Sequence, residues 1–156
     1  MSLIIDGHVH CVGDGSSGSG CWIDLSSPRR QITGRLLVRS TGLPTSLLRG
    51  GLDKAYMCQF DLWVRDSSLD RVVLLAQDET YREDGTKIEG HASFYVPNSY
   101  VLRLAREHGE FLPAVSIHPS KPDAREELER CLAAGARVLK LLPNVHNVDC
   151  SAPRHR

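Results

Sequence analysis

Four short apolar segments, separated by stretches long enough to hold helices, most constrain the fold of this chain. They lie at about residues 3–10, 71–76, 111–117 and 137–142. Connections of this length exclude hairpins, and strands joined by helical crossovers are parallel and right-handed. The pattern therefore predicts an α/β fold with four parallel strands in the order β-α-β-α-β-α-β.

The helical segments are predicted from apolar residues at helical spacing. One pattern begins at Leu52 and extends to Trp63. A second follows Asn98, the expected N-cap, and a third follows Asp123, which forms a capping-box pattern with Glu126. These three segments are the expected crossovers between the strands.

Two other segments are predicted to be irregular. Residues 11–42 are rich in Gly and Ser and show no clear period, so they are expected to form one long loop. The tail from Asn144 onwards is polar and has no helical period. A loop as long as the first one tends to be functional or mobile.

Length and composition favour one domain of a cytoplasmic protein. Lys and Arg number 19 in the 156 residues, as do Asp and Glu, so neither nucleic acid nor an anionic membrane is expected as a partner. No apolar run long enough to span a membrane is present, and no secretory leader is recognised. The five cysteines form no CxxC pair, which favours free thiols in a reducing compartment.

The sequence DGHVH at residues 6–10 is the strongest indication of chemistry. Alternation along a strand places His8 and His10 on one face, at the carboxyl end of the first strand. Parallel α/β folds bind their ligands at this end. Two imidazoles there can hold one metal ion, whereas the competing interpretation is a pair of strand-end histidines without a ligand.

His118 and Lys140 end the third and fourth predicted strands and are candidate catalytic residues. His118 is interpreted as a base, a substrate contact or a capping histidine. Lys140 stands between two leucines, and a buried lysine needs a reason. It is expected to contact a substrate carboxylate, to pair with an acid, or to be carboxylated and bridge two metals; otherwise its tip simply reaches solvent.

Weaker candidates lie in the polar segments that follow the strands. Two interpretations are open for them: they orient a substrate, or they belong to solvated loops. The residues are Gln77, Asp78, Glu79, Asn144, His146, Asn147 and Asp149. Part of a lid is expected from Asp14, Trp22 and Asp24. Ordinary surface or helix positions are expected for His91, His108 and His155.

Three stretches between Leu3 and Asp149 resemble the amidohydrolase superfamily. They are IIDGHVH, YVPNSYVLRLAREHGEFLPAVSIHP and ELERCLAAGARVLKLLPNVHNVD. The similarity is greatest to the amidohydrolase-related family, which also contains aromatic-acid and semialdehyde decarboxylases. The first stretch is shared by several metal-dependent families, and the other two narrow the choice.

This resemblance implies a (β/α)8 TIM-type barrel with a divalent metal, zinc being expected, at the carboxyl rim. His8 and His10 would be metal ligands, and Lys140 matches the lysine of the family's fourth strand. A metal-bound water would attack a small organic substrate in the hydrolases. In the decarboxylases the metal would orient and polarise the substrate instead.

The family's other ligands lie on later strands, as histidines on strands five and six and an aspartate on strand eight. A complete barrel needs about 250 residues, so residues 1–156 are expected to form a single partial domain, the N-terminal half of the barrel. Weak metal binding and little turnover are therefore expected of this chain alone. Its expected partner is a second copy or a missing C-terminal half.

Two other functions stay open at this point. The polymerase-and-histidinol-phosphatase type of phosphoesterase also begins with D-x-H-x-H on its first strand, although this chain has no basic cluster for phosphate. A truncated, non-catalytic interaction module is the other alternative. It predicts that His8 and His10 are dispensable.

Overall fold

A computed structural model describes residues 2–153, and its centre is a four-stranded parallel sheet curled into a half-barrel. The sheet consists, in spatial order, of β1 (Ile5–His10), β3 (Arg71–Leu75), β5 (Phe111–Ser116) and β6 (Val138–Lys140). Beside it, β2 (Trp22–Ile23) and β4 (Phe94–Tyr95) form an antiparallel pair. The predicted α/β class and the four parallel strands are confirmed.

The helices lie between the strands and after the last one. They are α1 (Pro28–Ser40), α2 (Leu52–Asp66), α3 (Asn98–Glu107), α4 (Ala124–Ala133) and the single turn α5 (Pro143–His146). A 3₁₀ helix covers Thr45–Arg49. Within residues 2–153, no helix has the length and apolar character needed to cross a bilayer.

The prediction of one loop over residues 11–42 is wrong, because this segment contains β2 and α1. The Oγ of Ser27 caps α1 by accepting a hydrogen bond from the backbone N of Arg30 at 3.3 Å. The helix shows no apolar period because it buries only Val38. Its other large apolar side chains, those of Ile32, Leu36 and Leu37, face solvent.

Three finer predictions also need correction. The tail begins with α5 rather than with an irregular segment, and Pro97, not Asn98, is the N-cap of α3. The Asn98 amide instead bonds to the backbone of Ser116 in β5, at 3.0 Å from Nδ2 to O and 2.8 Å from N to Oδ1. Asp123 makes no capping bond with its side chain and pairs with Arg130 at 3.1 Å.

The two faces of the sheet are unequally covered. On the outer face, Val72 and Leu74 of β3 pack in a large core with side chains of α2 and α3. On the inner face of the half-barrel, Val73, Leu75 and Ala114 form a much smaller cluster. The two edge strands are poorly covered: Ile5 of β1 is 47% exposed and Leu139 of β6 is 52% exposed.

Candidate functional site

His8 and His10 lie side by side at the carboxyl end of β1. Their Nε2 atoms form a hydrogen bond at 3.0 Å, and the rings meet edge to face with centroids 4.8 Å apart. A β-bulge between Asp6 and Val9 interrupts the pairing with β3 just before them. His10 pairs with Leu75, whose side chain faces the half-barrel interior, so the His10 imidazole borders that interior, and the exposed His8 ring contacts it from within the bulge.

His10 contacts Tyr56 and Phe94, and its pKa is lowered. The Tyr56 hydroxyl on α2 donates to the His10 carbonyl at 2.7 Å, and the Phe94 ring lies edge-on at 6.3 Å between centroids. Burial lowers the pKa of His10, and the positive charge of Lys140 and then His8 lower it further. The ring is therefore neutral near pH 7, the form that binds metal ions.

Lys140 is buried on the same inner face, at the end of β6. Its Nζ donates to the carbonyl of Ala76 at 2.9 Å and to Oε1 of Gln77 at 2.6 Å. Burial lowers the pKa of this amine to about 8. Its tip does not reach solvent, and no ion pair joins it to an acidic residue among residues 2–153.

His118 is fully buried, and both of its ring nitrogens make hydrogen bonds. Nε2 lies 2.8 Å from the His146 carbonyl, and Nδ1 accepts from the backbone N of Ser120 at 3.1 Å. The backbone N of His118 donates to a carboxylate oxygen of Asp78 at 2.8 Å. This arrangement favours the capping interpretation, because His118 links the ends of β3, β5 and α5.

Gln77 and His146 are more central than the sequence indicated. The Nε2 atoms of these two buried side chains lie 3.1 Å apart. Burial, followed by repulsion from His118, lowers the pKa of His146 to about 4. Its Nδ1 is buried and has no hydrogen-bond partner among the described residues. We call Gln77, Asp78, His118, Lys140 and His146 the rim cluster. Its one signal in the sequence was that each member lies at the end of a predicted strand or in the polar segment that follows it.

An apolar cavity of about 730 Å³ opens beside His10, between α1, α2 and β4. Leu37, Leu52 and Phe94 contribute to its apolar wall. Of the three expected lid residues, Asp24 lines the cavity and is ion-paired with Arg30. The other two lie elsewhere: Trp22 stacks on Tyr95, and Asp14 accepts bonds from the first turn of α2.

His8 and His10 gain no third metal-binding side chain from the described residues. Within residues 2–153, one group of three such side chains has its donor atoms within 4.8 Å of one another. It consists of Asp61, His108 and Glu110, and it can hold a metal ion. His108 was expected to occupy an ordinary surface or helix position, and His155 lies outside the described residues.

Comparison of the chain with family models, with curated proteins and with solved structures finds no match in any of the three. The functional interpretation therefore depends on the geometry described above and on the resemblance of the sequence motifs. The histidine pair, the buried lysine and the cavity are the features that it has to explain.

Proposed function

We propose that this chain forms part of a metal-dependent hydrolase of the amidohydrolase type, built on half of a TIM-type barrel. His8 and His10 are the metal ligands, and zinc is the expected ion. The observation that carries the proposal is the 3.0 Å separation of their Nε2 atoms at the carboxyl end of β1. That end of a parallel sheet is where such folds bind ligands.

The donor atoms fit this role. Two nitrogens bound to one tetrahedral zinc at about 2.0–2.1 Å are separated by about 3.3 Å, so the pair, which is at hydrogen-bond distance here, would open by about 0.3 Å to bind the ion. The lowered pKa of His10 keeps its ring in the ligating form. A divalent ion held there would lower the pKa of a bound water and polarise a substrate carbonyl or carboxylate.

Two ligands hold such an ion weakly. Structural zinc sites use four protein ligands and catalytic sites usually three. No third His, Cys, Asp or Glu of residues 2–153 joins the pair within 4.8 Å. The proposal therefore includes a low metal affinity for the isolated chain and little turnover by it.

Lys140 and His118 take different parts in this proposal. Lys140 raises the positive potential at His10 and, with a pKa of about 8, can be neutral or charged near neutral pH. It is the proposed contact for a substrate carboxylate. His118 is a positioning residue, because its hydrogen bonds fix α5 and the backbone around the rim cluster.

The substrate proposed is a small organic molecule with an apolar body. The cavity beside His10 has a volume of about 730 Å³, within the range of about 300–1,000 Å³ that is usual for such ligands. Its apolar wall favours an apolar body, while the reacting group would lie at the histidine pair. Either hydrolysis or decarboxylation fits this arrangement.

Self-association through the two edge strands is proposed as well. β1 and β6 border the half-barrel and have exposed apolar side chains, including those of Ile5 and Leu139. A second copy placed with its β1 against β6 would continue the parallel sheet and cover both edges. The same surface favours the second candidate function, a non-catalytic interaction module. The proposed location is the cytoplasm, because all five cysteines are free.

Metal binding by the histidine pair tests the proposed function directly. Titration with Co²⁺ should shift or broaden the imidazole NMR signals of His8 and His10 before those of His91, an exposed histidine that does not contact the pair through its ring. The variant His8→Asn/His10→Asn should lose this response and any Zn²⁺-dependent cleavage of amide or lactone substrates. An unchanged response would remove the basis of the proposal, and His91→Asn is the matched control.

A further inference from the structure

We propose a second metal site, structural rather than catalytic, formed by Asp61, His108 and Glu110. It lies at the opposite end of the sheet from the histidine pair, because Glu110 directly precedes β5 whereas His10 ends the parallel strand β1. Asp61 comes from α2, and His108 follows α3. The ion would join α2 to the turn between α3 and β5.

The three donor atoms of this cluster lie within 4.8 Å of one another, near enough to converge on one cation. Nδ1 of His108 lies 3.7 Å from Oδ1 of Asp61 and 3.9 Å from Oε1 of Glu110. Both separations exceed a hydrogen bond, which spans about 2.7–3.2 Å. They exceed the roughly 3.3 Å between ligands of a tetrahedral zinc by about half an ångström. An inward movement of the side chains by that amount would give three of the four ligands.

A buried carboxylate oxygen supplies the independent argument. Oδ1 of Asp61 is buried and accepts no hydrogen bond from the described residues. The other oxygen, Oδ2, is already paired with Arg65 at 2.7 Å. Buried acceptors without a hydrogen bond usually have an ion or ordered water as a partner. Here the orphan oxygen is the one that faces His108.

The central ligand is held in place before any ion binds. The His108 ring stacks on Phe111, with centroids 4.8 Å apart and planes 20° apart. Its backbone N donates to Leu104 at 2.9 Å, and its carbonyl accepts from Phe111 at 3.1 Å. Fixing the ring reduces the ordering cost of coordination and keeps Nδ1 towards the two carboxylates.

The donor set indicates the class of ion. One imidazole nitrogen and two carboxylate oxygens suit Zn²⁺, Co²⁺ or Mn²⁺, with water in the fourth position. Arg65 offsets one of the two carboxylate charges, so the cluster keeps a net negative charge when His108 is neutral. The competing arrangement is a protonated His108 between both carboxylates.

The test uses the full chain with His8→Asn/His10→Asn as background, so that the other proposed site is absent. In equilibrium dialysis with a thiol-free reductant, this background should bind one Zn²⁺ per chain with a micromolar Kd. Adding His108→Asn or Asp61→Asn should weaken binding by at least tenfold. The matched control, His91→Asn, should leave the Kd unchanged.

Two further readouts separate the cluster from other ligands. Bound Co²⁺ should give tetrahedral d–d bands without a thiolate charge-transfer band, which excludes the exposed Cys58 and Cys150. Zn²⁺ should raise the Tm of the background but not that of its Glu110→Gln derivative, in which the changed side chain is partly exposed and folding is least disturbed.

The outcomes are distinct. Failure of the background to bind Zn²⁺, or equal affinity after His108→Asn, overturns the second site. A protonated His108 at pH 7 in NMR together with absent Zn²⁺ binding identifies the ion-pair arrangement instead. If His108→Asn does not fold, Glu110→Gln decides. If the wild type binds no metal at the histidine pair while the background still binds Zn²⁺, the proposed function is contradicted and the second site stands.

Discussion

The Nζ of Lys140 donates a 2.6 Å hydrogen bond to Oε1 of Gln77, in a buried site at the carboxyl end of the sheet. Lys140 ends β6 and Gln77 follows β3, with β5 lying between those strands. The lysine side chain therefore crosses the inner face of the half-barrel. This bond couples the candidate catalytic lysine to the same segment that contacts His146.

Because Lys140 is buried, the free energy of unfolding should rise with pH in the alkaline range. Its pKa is about 8 in the folded chain and about 10.5 when unfolded, so between these values the unfolded chain binds more protons. The free energy of unfolding should therefore increase from pH 8 to pH 10.5, by about 2 kcal/mol after allowance for partial solvation. Urea unfolding at the two pH values measures this increase.

Lys140→Met is the matched variant for that measurement. It should lack the alkaline gain, because no titrating amine is left at the site. At pH 8 the loss of the donor to the Ala76 carbonyl and Gln77 Oε1, about 1–3 kcal/mol, should be largely offset because the buried amine and its desolvation cost are removed as well. The wild type should therefore exceed the variant in stability mainly at pH 10.5. An alkaline gain of the same size in Lys140→Met would assign the effect to other groups.

His146 makes the protein sensitive to acid. Its pKa is lowered to about 4 from a usual value of 6.5, so its contribution is present above pH 6.5 and is lost as the pH falls through 4. We expect a loss of about 2–3 kcal/mol between those values. His146→Gln should show a shallower decline in urea unfolding at pH 6.5 and 4.5. A decline as steep as that of the wild type would contradict the assignment.

Asn98 is predicted to be one of the most sensitive polar residues. Its buried amide bonds to both backbone groups of Ser116 and to Glu127 at 2.7 Å. Asn98→Ala should lower the free energy of unfolding by about 2–4 kcal/mol, because the freed groups stay buried. Asn147→Ala is the control. In chemical denaturation its loss in free energy of unfolding should be less than half of that for Asn98→Ala.

The edge strands should govern association. Ile5→Lys and Leu139→Lys each place a charge on an exposed apolar edge, which disfavours strand pairing. Sedimentation velocity should show dimers of the wild type dissociating in either variant. Leu62→Lys, at an exposed apolar position on α2, is the control that should stay associated. A monomeric wild type at tens of micromolar would refute the proposed edge pairing.

The fold was predictable where local pattern and burial agree. The strands β3 and β5 were located to within a residue or two, because their continuous apolar runs match strands covered on both faces. The helix α1 was missed because it buries a single side chain, so no period marks it. Propensity and an N-cap, rather than an apolar face, account for this helix.

The candidate site divides in the same way. His8 and His10 were identified from alternation within one strand, and the structure brings their nitrogens to 3.0 Å. The sequence did not predict the hydrogen-bond partners of Lys140, those of His118 or the burial of His146. Each of these depends on contacts between segments that are distant in sequence. The grouping of His108 with Asp61 was missed for the same reason.

By itself, the sequence determined the α/β class, the parallel strands and the histidine pair, since these follow from periodicities of two and 3.6 residues and from connections long enough to hold helices. Only the tertiary structure decided which polar groups are buried together, how the inner face is covered, and where the cavity opens. Those properties depend on contacts between residues separated by tens of positions, and local periodicity contains no information about such contacts.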